Sequence, residues 1–549
     1  MIALVLAAVV ALQEKVEVTL VEVVVRATDR DGAPVRTLLP EDLRVTEGRE
    51  PRNVAFVEPF LGTGRSAAPP TALYDAAGSA VAPTTVPVAA PLPARRFVLA
   101  FDVANSRARA RTAWKEAAAG WLRDGARPGD RFAVVLLGSG PEWVRTFTAD
   151  PRKALEALEA VDLAGRGGER DRRRETTALW NEIESCASAA ESGSRRVGGD
   201  GSDCATAILE PAVAQWNAES RETLGALRSL VGQLAAVPER KQVLLFSDGW
   251  YADPPAQAAS LHLALFGAGS RTPLTGIGRD LGPDVALEAT ALHEAAARAG
   301  VAVYSFDTRS PAERGHHDGV EVERGTASGA LGAHPWTDAY AATSGALEAL
   351  ANETGGEAYF GAKDLAGKIL RAQGAYDALH VVGFYRPQGA DPGARLRIEP
   401  GRRGLRLDHA RRARGPGDEP RSAGIDLSIR APETGSAEDR RRLPITLDLG
   451  VNELPLRNVD GTWGCRVGYF VQAFRPDGTV IAEAFDEATI ALETRPARDE
   501  ARRFRRLVTL DLPLGPARIR VRAADDRRLV LADRAVDVTL TRDGVRAGL

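Results

Sequence analysis

Four apolar runs constrain this chain more than any other feature: RFVLAFD (96–102), RFAVVLL (131–137), KQVLLF (241–246) and VAVYSFD (301–307). Each is continuous rather than alternating, the pattern of a strand covered on both faces, as in a parallel sheet. The stretches between them read as helices: TAWKEAAAGWLRDG ending at Gly125, PRKALEALEAVD with proline in its first turn, ETTALWNEIESCASAAE, SRETLGALRSLVGQLAAV and LEATALHEAAARAG. ALEALANETGGEAYF repeats helix and strand once more, and EWVRTFTAD reads as a short edge strand. This alternation predicts a doubly wound α/β domain over 96–375 with a mostly parallel sheet. Two stretches rich in glycine and charge, near 165–205 and 308–338, read as surface insertions.

The flanks carry strand signals only. Residues 14–60 read as a small β unit, with turns at Asp31-Gly32 and Glu47-Gly48. Asp29 and Asp31 suit a turn better than a calcium loop, because no further ligands follow. Residues 61–95, dominated by alanine, proline and small polar residues, read as a linker. ALHVVGFYRP and ARLRIEPGRRGLRLDH predict a closing β-hairpin over 376–413, followed by a linker at 414–423. From 424 to 549, short strands spaced by turns such as Pro476-Asp477-Gly478 predict a β-sandwich of immunoglobulin or fibronectin type. A chain of 549 residues is long enough for several such domains.

Composition excludes some functions. The net charge of −3 gives no overall attraction to nucleic acid or anionic membrane. Aromatic residues make up 6%, too sparse for a stacking surface for single strands. Residues 1–13 are apolar and too short to span a bilayer, but fit the core of a signal peptide; a buried first strand is the alternative. Of three cysteines, Cys186 and Cys204 flank a glycine-rich polar stretch and could pair in an oxidising compartment. Closing such a loop contributes roughly 3 kcal/mol in the chain-entropy picture. Three free thiols are the other reading.

Enzymatic signatures are missing. The chain contains no HExxH, no nucleophile elbow and no phosphate-binding P-loop. His316 and His317 adjoin on a glycine-rich stretch, where neighbouring side chains rarely face one ion. A non-enzymatic protein is expected, with an undetected hydrolase as a distant alternative.

Oxygen-bearing side chains punctuate the strand ends instead. Asp102 and Ser106 follow the first strand, Thr176 and Thr177 open a later helix, and Asp248 ends VLLFSDG. In a doubly wound sheet these ends line the ligand crevice, and carboxylates with hydroxyls suit a hard cation such as Mg²⁺. The order strand-Asp-x-Ser-x-Ser, helix-opening threonine, strand-Ser-Asp-Gly resembles the von Willebrand factor type A domain. The likeness is to its secreted, VWFA-related acidobacterial branch. RRFVLAFD, RPGDRFAVVLL, TTALWNEI, ERKQVLLFSDGW and AGVAVYSFDTR carry the resemblance, which spans about 16–413.

The resemblance implies a metal-ion-dependent adhesion site in which Asp102, Ser106, Thr177 and Asp248 hold Mg²⁺, with Mn²⁺ or Ca²⁺ as substitutes. Asn105, Thr176 and Gly249 adjoin it as binding residues. Ala104 stands where the family has its first serine, so one oxygen ligand is missing and the site is degenerate. Two alternatives stay open. Asp102 and Ser106 could merely cap the helix that begins near Arg109, or an arginine among Arg166, Arg170, Arg172, Arg173 and Arg174 could neutralise the carboxylates. The implied role is a secreted, periplasmic or cell-surface adhesion module that binds an acidic side chain of a protein partner. A metal-independent envelope scaffold is the alternative.

Overall fold

The computed structural model describes residues 18–31, 33–59, 73–74, 80–81, 95–166, 172–191, 201–237, 239–266, 285–309, 335–387, 390–391, 394–409, 425–451, 454, 456–459, 461–495, 503–525, 532–542 and 544–547. Residues 1–13, read as a signal peptide, most of 61–95 and all of 414–423, read as linkers, and most of 308–338, read as an insertion, lie outside these residues.

The chain opens with β1 (Val18–Thr28), β2 (Leu43–Glu47), β3 (Glu50–Arg52) and β4 (Val54–Pro59), then the short pair β5 (Leu73–Tyr74) and β6 (Ala80–Val81). The α/β unit follows as β7 (Arg96–Asp102), α1 (Ala108–Asp124), β8 (Arg131–Leu137), β9 (Pro141–Thr148), α2 (Pro151–Ala160), α3 (Arg172–Glu191), α4 (Ser202–Leu234) and β10 (Lys241–Phe246). It continues through α5 (Pro254–Phe266), α6 (Val285–Arg298), β11 (Val301–Asp307), α7 (Pro335–Thr354), β12 (Ala358–Phe360) and α8 (Leu365–Gly374).

Its six strands lie in the order β12-β11-β10-β7-β8-β9, all parallel except the edge strand β9. The strand order reverses at β7 and β10, which pair directly from Arg96 and Lys241 to Phe101 and Phe246. Every residue of β7 is buried, because period-two alternation sends apolar side chains to both faces. Val98 and Ala100 pack under α4, α6 and α7. Phe97, Leu99 and Phe101 pack under α1, α2 and α8. Local chemistry sets several helix starts: Pro151 opens α2, and the Asp150 carboxylate accepts the Arg152 amide at 3.0 Å.

Two expectations change. Helix α4 begins at Ser202, well before Ser220, and runs through Pro211. Its early half is stabilised by packing, with Leu209, Val213 and Trp216 in a core shared with α3 and α5. Within the 165–205 stretch, α3 (Arg172–Glu191) covers the helix read over ETTALWNEIESCASAAE, and α4 enters its last residues.

The closing hairpin also takes another form. The strands β13 (Leu379–Pro387), β14 (Leu396–Pro400) and β15 (Arg406–His409) pair with the chain's beginning rather than with one another. One sheet runs β15-β1-β13-β4 and a second β14-β2-β3, around a core of Val21, Val25, Val45, Phe384 and Ile398. Each half presents one apolar face, and the faces bury each other across the intervening domain.

The C-terminal region contains β16 (Ile425–Ile429), β17 (Glu433–Thr434), β18 (Arg440–Gly450), β19 (Arg457–Val459), β20 (Thr462–Phe474) and β21 (Val480–Leu492). It ends with β22 (Arg503–Pro513), β23 (Gly515–Asp525), β24 (Ala532–Leu540) and β25 (Val545–Ala547). These form two antiparallel sheets around a common core that includes Leu443, Ile445, Val471, Ile519 and Val521. This β-rich region docks on α4, along the edge strand β9 and at the amino ends of β7 and β8. Arg96, 1% exposed, donates to Glu483 at 2.6 and 3.1 Å and to Glu239 at 3.2 Å. Arg131 donates to Glu483 at 2.8 Å, and Trp143 packs on Phe485 with ring centroids 4.7 Å apart. The carboxyl ends of β7 and β10 lie away from the Arg96–Glu483 contact.

Candidate functional site

At its carboxyl end β7 delivers Asp102, 1% exposed, into a tight turn. Its Oδ1 accepts the backbone N–H groups of Ala104 at 3.1 Å and Asn105 at 2.9 Å, so the side chain folds the turn that follows it. Its Oδ2 accepts the Ser247 hydroxyl at 2.7 Å, which ties the turn to the end of β10. Ser106 is fully buried, and its hydroxyl donates to the Asp102 carbonyl. Asn105 donates its side-chain amide to the Thr223 hydroxyl on α4. Arg111, in the first turn of α1, closes the turn from the other side by donating to the carbonyls of Ser106, Leu163 and Ala164.

Asp248 follows β10 and is 4% exposed. Its Oδ2 accepts the Arg107 backbone N–H at 3.2 Å and the Arg107 Nε at 3.1 Å. Its Oδ1 is buried and has no hydrogen-bond donor among the described residues. Gly249 makes this placement feasible. It sits at φ +75°, and a Cβ there would lie 2.3 Å from the Thr343 carbonyl of α7.

The neighbouring strand adds a second ion pair. Asp307 ends β11, and Arg309 returns to it with Nη2 at 2.6 Å and Nε at 2.9 and 3.0 Å from the two carboxylate oxygens. Arg309 also donates to the Thr343 hydroxyl at 2.9 Å and lies 4.3 Å over the Tyr340 ring. Burial pushes the Asp307 carboxyl up; Arg309 opposes the rise and the charge of Asp248 adds to it. Burial works against the Arg309 charge, yet Asp307 and Asp248 overcome it and hold the guanidinium above its ordinary value. Three carboxylates, Asp102, Asp248 and Asp307, thus share this end of the sheet with three guanidiniums, Arg107, Arg111 and Arg309.

The structure brings together Asp102, Ser106 and Asp248 through two residues outside the expected set, Ser247 and Arg107. Thr176 and Thr177 lie in the first turns of α3, Thr176 buried and Thr177 partly exposed. Cys186 and Cys204 form a disulfide that joins α3 to α4. The arginine that reaches Asp248 is Arg107. Arg166 pairs with Glu142 on the surface at 2.5 Å, Arg170 lies outside the described residues, and Arg172, Arg173 and Arg174 begin α3. Arg107 was legible as a cation directly after Ser106, and Asp307 and Arg309 as SFDTR at an equivalent strand end.

A resident Mg²⁺ would need about six oxygens at roughly 2.1 Å, several of them from the protein. Ala104 supplies none, the Ser106 hydroxyl is committed to a carbonyl, and both Asp102 oxygens accept donors. One Asp248 oxygen is held by Arg107. Asp102 keeps lone pairs beyond those bonds and Asp248 Oδ1 is without a donor among the described residues, but with Arg107 on the other Asp248 oxygen the donor set as arranged does not fit a resident divalent ion. Among the described residues, no three His, Cys, Asp or Glu side chains group closely enough to hold a metal.

A serine–histidine contact occurs elsewhere, with Ser202 Oγ 2.8 Å from His262 Nε2. Both residues are 0% exposed, so this is a buried hydrogen bond at the start of α4 rather than an accessible nucleophile.

No family model matches the chain, and no curated protein matches it. Among solved structures it is similar to a conserved hypothetical protein, BatB, from Bacteroides thetaiotaomicron: 12% identity, TM-score 0.24, covering 51% of this chain and 96% of that one. It is also similar to an aerotolerance-related membrane protein from Bacteroides fragilis, with 12% identity, TM-score 0.23, and coverage of 51% and 98%. A von Willebrand factor type A protein from Catenulispora acidiphila shows 11% identity and TM-score 0.23, over 82% of this chain and 68% of that one. Superpositions this loose carry no argument about function, which rests on the geometry above. No described helix is long and apolar enough to cross a membrane.

Proposed function

We propose that this chain is a non-enzymatic binding module that recognises a protein partner through the carboxyl-end face of its α/β sheet. The observation that carries this reading is the placement of Asp102, Asp248 and Arg107 at the β7/β10 crossover, where the strand order reverses. Ligands of doubly wound sheets bind outside the carboxyl ends at that point. The amino end of β7 is taken by the C-terminal sandwich, with Arg96 sealed against Glu483 and Glu239, and the recognition face is the opposite end of β7 and β10. Partly exposed Arg107 borders that face, and an acidic side chain is the complementary partner chemistry. The disulfide between Cys186 and Cys204 supports an oxidising location, periplasmic or outside the cell.

The test is selection of displayed random peptides on the full chain, followed by fluorescence-polarisation binding of the enriched sequences. They are expected to contain Asp or Glu, and to lose binding to Arg107→Gln but not to Leu507→Arg on the far sandwich. Enriched peptides that bind both variants equally would refute a recognition face at the crossover.

A further inference from the structure

We propose that Arg107 is the built-in cation of this site: its guanidinium holds Asp248 in place of a divalent ion, and removing it converts the Asp102–Asp248 pair into a metal site. The inference deepens the binding-face reading and rests on it only for its biological use.

Three features converge on Arg107. First, two buried carboxylates at one crevice need compensating charge, because an uncompensated buried ion is strongly unfavourable. Arg107 supplies that charge to Asp248 through its guanidinium Nε, and its backbone N–H adds a neutral hydrogen bond to the same oxygen. Second, Arg107 is the residue immediately before α1, in extended conformation with φ −74° and ψ 145°, and its side chain does not cap the helix. The turn that buries Ser106 therefore delivers a guanidinium to the position facing β10. Third, the guanidinium sits where a cation would bind: a dication at Asp248 Oδ2 must displace Arg107. Asp248 Oδ1, buried without a donor, shows what the carboxylate offers once Arg107 leaves. Asp102 stays anchored by Ser247 and two backbone amides, so a second carboxylate remains in place.

The arrangement makes recognition by this face independent of metal. A partner carboxylate meets a guanidinium carried by the chain itself, and chelators have nothing to remove.

The experiment is isothermal titration of MnCl₂ and MgCl₂ into the full-length wild type, Arg107→Gln and Arg107→Gln/Asp248→Asn, with circular dichroism to confirm folding. The wild type is expected to show no saturable heat. Arg107→Gln should bind Mn²⁺ at one site at least about tenfold tighter than wild type, and the double variant should lose that site. Saturable metal binding by the wild type, or a folded Arg107→Gln that binds no tighter, overturns the proposal. Should Arg107→Gln fail to fold, the wild type decides: thermal unfolding unchanged by Mg²⁺ or EDTA is expected, and a rise with Mg²⁺ overturns. None of these readouts needs a partner, so failure of the peptide selection and failure of the metal titration are distinguishable.

Discussion

Replacing Glu483 with glutamine should loosen the sandwich from the amino ends of β7 and β8. Glu483 lies on β21 with its side chain 12% exposed and accepts three charge-assisted bonds, from Arg96 at 2.6 and 3.1 Å and from Arg131 at 2.8 Å. Removing one partner of a buried ion pair costs about 3–5 kcal/mol, chiefly by stranding the other charge. Here the loss is partly offset. Arg96 keeps Glu239 at 3.2 Å, and Arg131, 26% exposed, regains water. A net cost of about 2–3 kcal/mol follows.

Urea unfolding of the full chain measures this, and a double-mutant cycle with Arg131→Gln isolates the pair. Burial works to raise the Glu483 carboxyl, but Arg96 and Arg131 outweigh it and hold the group below its ordinary 4.5. A depressed folded value means the contribution is complete above 4.5 and is lost as pH falls below it. Wild-type stability should therefore drop on acidification below that point, and the Glu483→Gln variant should drop less. A change under about 0.5 kcal/mol, the scale of an exposed pair, would refute the account of this contact as a buried one.

Other perturbations have equally direct readouts. Gly249→Ala puts a Cβ against the Thr343 carbonyl at positive φ and should cost at least about 2 kcal/mol by calorimetry. Reducing the Cys186–Cys204 disulfide should cost roughly 3 kcal/mol, read as a lower urea midpoint under reductant. Arg309→Met strands the buried Asp307 carboxylate, for a loss of about 3–5 kcal/mol in the same assay. Phe485→Ala removes the ring that packs on Trp143 and Phe147, and should cost about 3 kcal/mol and speed proteolysis between the α/β domain and the sandwich.

Much of the α/β unit was legible because its signals are local. A run such as RFVLAFD can only be a strand covered on both faces, and Pro151 after Asp150 marks a helix start whatever surrounds it. Asp102 and Asp248 were legible as polar residues that end such runs. Helix α4 was read too short because its early half depends on Leu209, Val213 and Trp216 meeting α3 and α5, a contact that no window of sequence contains. The strands β1 and β13 looked like separate units because their pairing, from Val18 with Pro387 to Arg26 with Leu379, joins the two sides of a whole domain.

By itself, the sequence determined the strand ends, the crossover chemistry available there and the oxygen missing at Ala104. Only the tertiary structure decided which cation meets Asp248. Several arginines lie within reach along the chain, and composition ranks none of them. Burial of Ser106, the turn folded by Asp102 and the close approach of β10 together select Arg107. An ion pair is set by where two backbones converge, and that convergence belongs to the packed sheet.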